Sequence, residues 1–194
     1  MSGRWLVVLA LIGIAGLLLL IAAERFGRHE LIGPGLLLFA VGALAAGVNA
    51  IVSRYTYERS DATHRSQTFE GPAAVLIGLV LVILGTALAA AGVSFVLGAE
   101  AGLYAFLLER PGFALVPLGL MFAAGGGARV IGARNWRGSA KRFLASIPER
   151  IGGSMLLLIG LALLAIGAFE IVMPDGFDDA LDALLAPLRE ASMR

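Results

Sequence analysis

The stretch GPAAVLIGLVLVILGTALAAAGVSFVLGA, residues 71–99, runs for twenty-nine residues without one Asp, Glu, Lys or Arg. At about 1.5 Å per residue it exceeds the roughly 30 Å hydrocarbon core of a bilayer, which about 20 helical residues cross. Its apolar residues show no period-2 alternation, so a helix is expected and a barrel strand is not. The excess length implies overshoot or tilt.

Four further charge-free runs flank it, at 5–23, 31–53, 111–128 and 151–169. Hydrophobic residues make up 59% of the 194-residue chain and charged residues 15%. A soluble domain carries about one quarter charged residues, and a core of this size could not hide so much apolar surface. We therefore expect an all-α integral membrane protein of about five transmembrane helices. The expected spans are about 5–23, 31–53, 72–98, 111–133 and 150–173, in a bundle covering 1–174. A C-terminal amphipathic helix over 175–194 follows. Arg4 ahead of an apolar run, with Ile21-Ala22-Ala23 beyond it, has some character of a signal peptide. The run is long for such a segment, and a retained helix is expected.

Charge sets the orientation. Five spans put the N-terminus and the loops 54–70 and 129–150 on one side, which holds ten Lys/Arg and four Asp/Glu. The other side holds five and ten. Basic residues favour the cytoplasmic side, so the N-terminus is expected inside and the acidic C-terminus outside. Trp5, Tyr55, Tyr57 and Trp136 would form the cytoplasmic aromatic belt. A single lysine against fourteen arginines fits a GC-rich bacterial genome, and hence a bacterial inner membrane.

Glycine carries the packing pattern. It recurs every seven residues at Gly35 and Gly42; Gly71, Gly78, Gly85 and Gly92; Gly112, Gly119 and Gly126; and Gly153, Gly160 and Gly167. In lipid, small residues let backbones approach closely, and a seven-residue period keeps the seam facing its neighbour in a left-handed supercoil. Gly42, Gly78, Gly85, Gly119, Gly126, Gly160 and Gly167 are the expected helix-packing residues. Pro34, Gly35 and Gly42 match Pro111, Gly112 and Gly119 at an offset of 77. Leu76-Ile77-Gly78-Leu79 with Gly85 matches Leu158-Ile159-Gly160-Leu161 with Gly167 at an offset of 82. Helices two and three thus read as duplicated in helices four and five, as parallel repeats. Pro34, Pro72, Pro111 and Pro148 are expected at helix starts, and Pro117 inside the fourth span.

Outside the spans, 139–147 is expected as a short basic amphipathic helix in the headgroup layer. There Trp136, Arg137, Lys141 and Arg142 would meet anionic lipid. In the tail, Phe177, Leu181, Leu184 and Leu185 recur at helical spacing behind a candidate N-cap at Asp175, and would cover the bundle or a partner. Residues 101–108, fenced by Glu100 and Glu109, are a candidate interfacial helix.

Chemistry is sparse. With no cysteine, disulfides, thiolate nucleophiles and cysteine-ligated zinc are excluded. No ionisable group lies deep within a span, which argues against pumps and charge-carrying channels. Arg129 and Glu170 lie near span ends, where snorkelling accounts for them. His29 with Glu24 and Glu30 is a weak metal patch, and His64 a solvated loop residue. Gly125-Gly126-Gly127-Ala128-Arg129 lacks the Lys-Ser/Thr ending of a phosphate loop. No catalytic, cofactor, metal or nucleic-acid site is expected. The leading reading is a non-catalytic membrane subunit, a scaffold, assembly or accessory component, whose partners are lipids and other membrane subunits or itself. The alternative is a small transporter or channel for an uncharged or lipid-like substrate, with Asn49, Thr86 and Ser94 lining its path. A membrane-embedded enzyme with an interfacial site built from Glu24, His29 and Glu30, or from the arginine loop, comes third.

Overall fold

The computed structural model describes residues 3–60, 65–132 and 140–177. In chain order these form α1 (Gly3–Phe26), a 3-10 turn (His29–Leu31), α2 (Ile32–Ser53), β1 (Tyr55–Ser60), β2 (Arg65–Glu70), α3 (Pro72–Val96), α4 (Glu100–Glu109), α5 (Gly112–Ile131) and α6 (Ala140–Val172). Among the described residues, four helices are long and apolar enough to cross a membrane: His29–Ser53, Pro72–Val96, Gly112–Ile131 and Ile147–Val172. The chain is thus predominantly helical, with the character of a multi-pass membrane protein. The 24-residue α1 packs along α2.

The long helices are arranged as a row. Contacts run from α1 to α2, α2 to α3, α3 to α5 and α5 to α6, and the α2–α3 and α5–α6 pairs are the most extensive. Each helix is antiparallel to its neighbour, as short connections require. Large apolar side chains are exposed along the row, among them Leu11, Leu18, Val48, Leu79, Leu118 and Leu158. The fully buried residues are mostly small: Ala40, Ala50, Ala73, Ala74 and Ala128. A water-soluble protein buries its large apolar residues; here small residues fill the contacts and large ones face outward, which suits hydrocarbon as the solvent.

The segment 54–70, read from sequence as a polar loop, contains an antiparallel hairpin. Tyr55 pairs with Glu70 and Ser60 with Arg65. Tyr55-Thr56-Tyr57 and Thr68-Phe69 are aromatic and β-branched, and such residues favour a pleated strand. An isolated two-stranded ribbon is marginal in water. This one is pinned by Phe69, which is fully buried against Ala73, Ala74 and Ala128, with Leu76 and Ile77 beside it. Its base is closed by the Gly71 N–H donating to the Arg54 carbonyl at 2.8 Å. Gly71 takes φ 62° there, which glycine allows at no steric cost, and Arg54 turns the chain out of α2 at φ 50°.

Three further expectations are corrected. Residues 140–147 are not a separate headgroup helix; they are the first turns of α6, which continues without interruption to Val172. Pro148 therefore lies inside a helix, where it leaves the Leu144 carbonyl without its usual donor. Asp175 does not cap the following turn: residues 174–177 are already helical, and the Phe177 N–H donates to the Met173 carbonyl at 3.0 Å. Pro117 lies inside α5, as expected.

Candidate functional site

What the chain builds most carefully is its interhelical contacts, and glycine makes them. A Cβ on Gly47 would lie 2.7 Å from the Gly78 carbonyl oxygen, and one on Gly78 would lie 2.7 Å from the Gly47 oxygen. A Cβ on Gly33 would lie 3.0 Å from the Gly92 oxygen, and one on Gly85 would lie 3.1 Å from the Ala40 oxygen. The α2–α3 seam is therefore Gly33·Gly92, Ala40·Gly85 and Gly47·Gly78. The α5–α6 seam repeats this construction with glycine on both sides: Gly112·Gly167, Gly119·Gly160 and Gly126·Gly153. At Gly119 a Cβ would lie 2.8 Å from the Gly160 oxygen and 2.7 Å from the Leu164 nitrogen. Backbones this close leave room for glycine or, at Ala40, a single methyl.

Gly78, Gly85, Gly119, Gly126, Gly160 and Gly167 thus stand on the two seams. Gly42 does not. It lies two positions beyond Ala40, about 200° around the helix, while Ala40 holds the seam position. Gly35 faces α1, where a Cβ on Gly16 would lie 2.8 Å from the Gly35 oxygen. The α2 heptad in contact with α3 is thus 33-40-47 rather than 35-42. Corresponding seam positions are separated by 79 residues from Gly33 to Gly112 and by 75 from Gly78 to Gly153. The sequence offset of 82 matches glycines at different levels of the two seams, and the offset of 77 matches Gly35 and Gly42, which lie off the α2–α3 seam, with Gly112 and Gly119 on the α5–α6 seam.

The second feature is a carboxylate. Glu170, near the end of α6, is 2% exposed. Its Oε2 accepts the Gly112 N–H at 3.0 Å, and its Oε1 lies 3.9 Å from an Arg110 Nη1 that is itself well exposed. Gly112 is the first residue of α5, so Glu170 satisfies an N–H that the helix itself leaves unpaired, at the positive end of the helix dipole. Snorkelling, the sequence-based account of Glu170, is replaced by burial and capping. Arg129, at the other end of α5, donates from Nη1 to the Gly125 carbonyl at 3.3 Å, and its Cβ packs against Gly153.

The polar residues considered for a transport path are not brought together. Thr86 donates its hydroxyl to the Val82 carbonyl at 2.9 Å, and Ser94 to the Ala90 carbonyl at 3.0 Å. Both therefore stay bonded to their own helix. Asn49 lies in α2, two residues beyond Gly47, whereas Thr86 and Ser94 lie in α3.

Glu24 and His29 both line an apolar cleft of about 380 Å³, together with Leu20, Ala23, Gly27 and Ile32. Glu30 turns instead to the Arg28 Nε at 3.1 Å. Among the described residues no three His, Asp or Glu side chains converge in a manner suited to a metal ion. Lys141 and Arg142 lie in the first turn of α6. Trp136, Arg137, His64, Leu181, Leu184 and Leu185 lie outside the described residues. Phe177 stacks at a tilt on Phe169, with ring centroids 6.4 Å apart. Sequence reasoning missed Phe69 as an anchor and Glu170 as a cap. An apolar residue in a period-2 polar segment marks the first; the second pairs residues 58 apart and leaves no local trace.

Compared with protein-family models, curated proteins and solved structures, the chain matches none.

Proposed function

We propose that this chain is a non-catalytic subunit of the bacterial inner membrane that scaffolds or assists the assembly of a larger membrane complex. In this reading α1 is a fifth span, the N-terminus and the β1–β2 hairpin are cytoplasmic, and the C-terminus is outside. The charge asymmetry between the two sides supports that orientation. The two glycine-seamed hairpins are read as products of one duplication, supported by their matching heptad seams.

The observation that carries the role is the row itself. Its seams are closed by backbone contact, and the hydroxyls of Thr86 and Ser94 bond to their own helix. What the row offers its surroundings is therefore apolar helix surface rather than a polar chamber. Helices associate in lipid through packing, and a rigid, exposed helix face is a suitable template for other helices. Copurification from native membranes in mild detergent, after brief crosslinking, tests the role. A reproducible set of membrane-protein partners in stoichiometric amount is expected. A chain that stays monomeric in the crosslinked membrane, with no partner, would contradict it.

A further inference from the structure

At the end of the row opposite the hairpin, α4 has an unusual surface. Residues 101–108 (Ala-Gly-Leu-Tyr-Ala-Phe-Leu-Leu) carry no charge, and their one polar group is the Tyr104 hydroxyl. Charge is confined to the two ends, at Glu100 and Glu109 with Arg110 beyond. A helix lying between a protein surface and water shows an apolar stripe and a polar face. This helix has no polar face. Tyr104 is 59% exposed and Leu108, one turn on, 83%; Phe106, about 200° from Tyr104, is 43% exposed although its ring lies 5.1 Å from that of Phe113. Apolar side chains are thus exposed on opposite sides of the same helix.

Its position is fixed by short tethers. Three residues, 97–99, join it to Val96 at the end of α3, and two, 110–111, join it to Gly112 at the start of α5. Both tethers lie at one end of the row. Ten helical residues measure about 15 Å, half of what a crossing needs. Leu97 in the first tether and Phe113 at the start of α5 are exposed as well, and Phe113 meets the Phe106 ring of α4.

From this we infer that α4 lies in the bilayer, at the boundary between headgroups and acyl chains, with lipid as its direct partner. Acyl chains would surround residues 103–108, and the exposed Glu109 would reach the hydrated headgroups. Lipid is favoured over a second protein because exposure on opposite sides suits a solvent that surrounds the helix. The inference rests on the membrane character of the spans, and it is independent of the scaffold role.

The absence of cysteine makes the test direct. Nitroxide labels are placed one at a time by Tyr104→Cys, Phe106→Cys and Leu108→Cys in the full chain, reconstituted in phosphatidylcholine–phosphatidylglycerol vesicles. Thr86→Cys serves as the mid-span reference and Glu109→Cys, at an exposed position, as the hydrated one. Variants are compared at unchanged helix content by circular dichroism. Collision with oxygen is expected to exceed collision with an aqueous nickel chelate at 104, 106 and 108, less strongly than at 86, and the reverse is expected at 109. Chelate excess at 104 or 108, with 86 still oxygen-rich, would overturn the placement of α4 alone. Protection of 104 and 108 from both reagents would overturn it in favour of a second copy as the cover. Chelate excess at 86 as well would remove the membrane premise along with it.

Discussion

Glu170 Oε2 accepts the Gly112 N–H across 3.0 Å, joining the end of α6 to the beginning of α5 through a side chain only 3% exposed. A helix N-terminus in a poorly hydrated setting must find acceptors within the protein. Glu170 supplies one from 58 residues away, and with it fixes the register at which the glycine seam of this hairpin begins.

Removing that acceptor should loosen the hairpin. Glu170→Ala leaves a buried N–H unpaired, a loss of about 1–3 kcal/mol. Glu170→Gln keeps an acceptor and should retain most of the stability. Arg110 is well exposed and 3.9 Å away, so Arg110→Ala should change stability by less than about 1 kcal/mol. Reversible unfolding in mixed micelles measures all three, and equal effects of Glu170→Ala and Arg110→Ala would argue against capping.

Adjacent glycines should behave differently. A Cβ at Gly153 would lie 2.7 Å from the Arg129 Cβ and 2.9 Å from the Gly126 oxygen, whereas one at Gly152 meets nothing within 4 Å. Gly153→Ala should destabilise by about 1–3 kcal/mol through overpacking. Gly152→Ala should be neutral or slightly stabilising, because alanine is the better helix former. The same unfolding assay distinguishes them.

Phe69→Ala should release the hairpin from the row. Truncating a fully buried Phe costs about 3–5 kcal/mol, and its strand neighbours Thr68 and Glu70 are only partly buried. Faster amide exchange across 55–60 and 65–70, with α5–α6 protection unchanged, is the expected outcome. Loss of protection throughout would mean that Phe69 supports the whole row.

Orientation is testable with single cysteines in the cysteine-free chain. Tyr57→Cys, on the exposed hairpin, should react with a membrane-impermeant maleimide only after the inner membrane is opened. Arg28→Cys, between α1 and α2, should react in intact spheroplasts. The opposite pattern would invert the topology.

Most of the architecture was legible because lipid imposes simple rules. Charge-free length marked the spans, and the expected ranges match the four apolar helices to within a few residues. Glycine spacing marked the seams on α3, α5 and α6, where the heptad is unbroken. On α2 it misled, because Ala40 takes a seam position while Gly35 serves α1; small size, not glycine identity, is what the contact selects. Pro148 was misplaced for a related reason: proline suits a helix start, but a long helix tolerates one when its neighbours hold it. The hairpin was hidden because its strands are polar except at Phe69, which is buried by other elements rather than by its own partner strand. Glu170 was visible as a charge near a span end. Its role was not, since the group it caps lies in a different helix.

The idea beneath all of this is that hydrocarbon surrounds the row, and washing native membranes with alkaline carbonate measures it most directly. The untagged chain should remain entirely in the membrane pellet alongside a known multi-pass protein. Its release into the supernatant with peripheral proteins would contradict the membrane-embedded row.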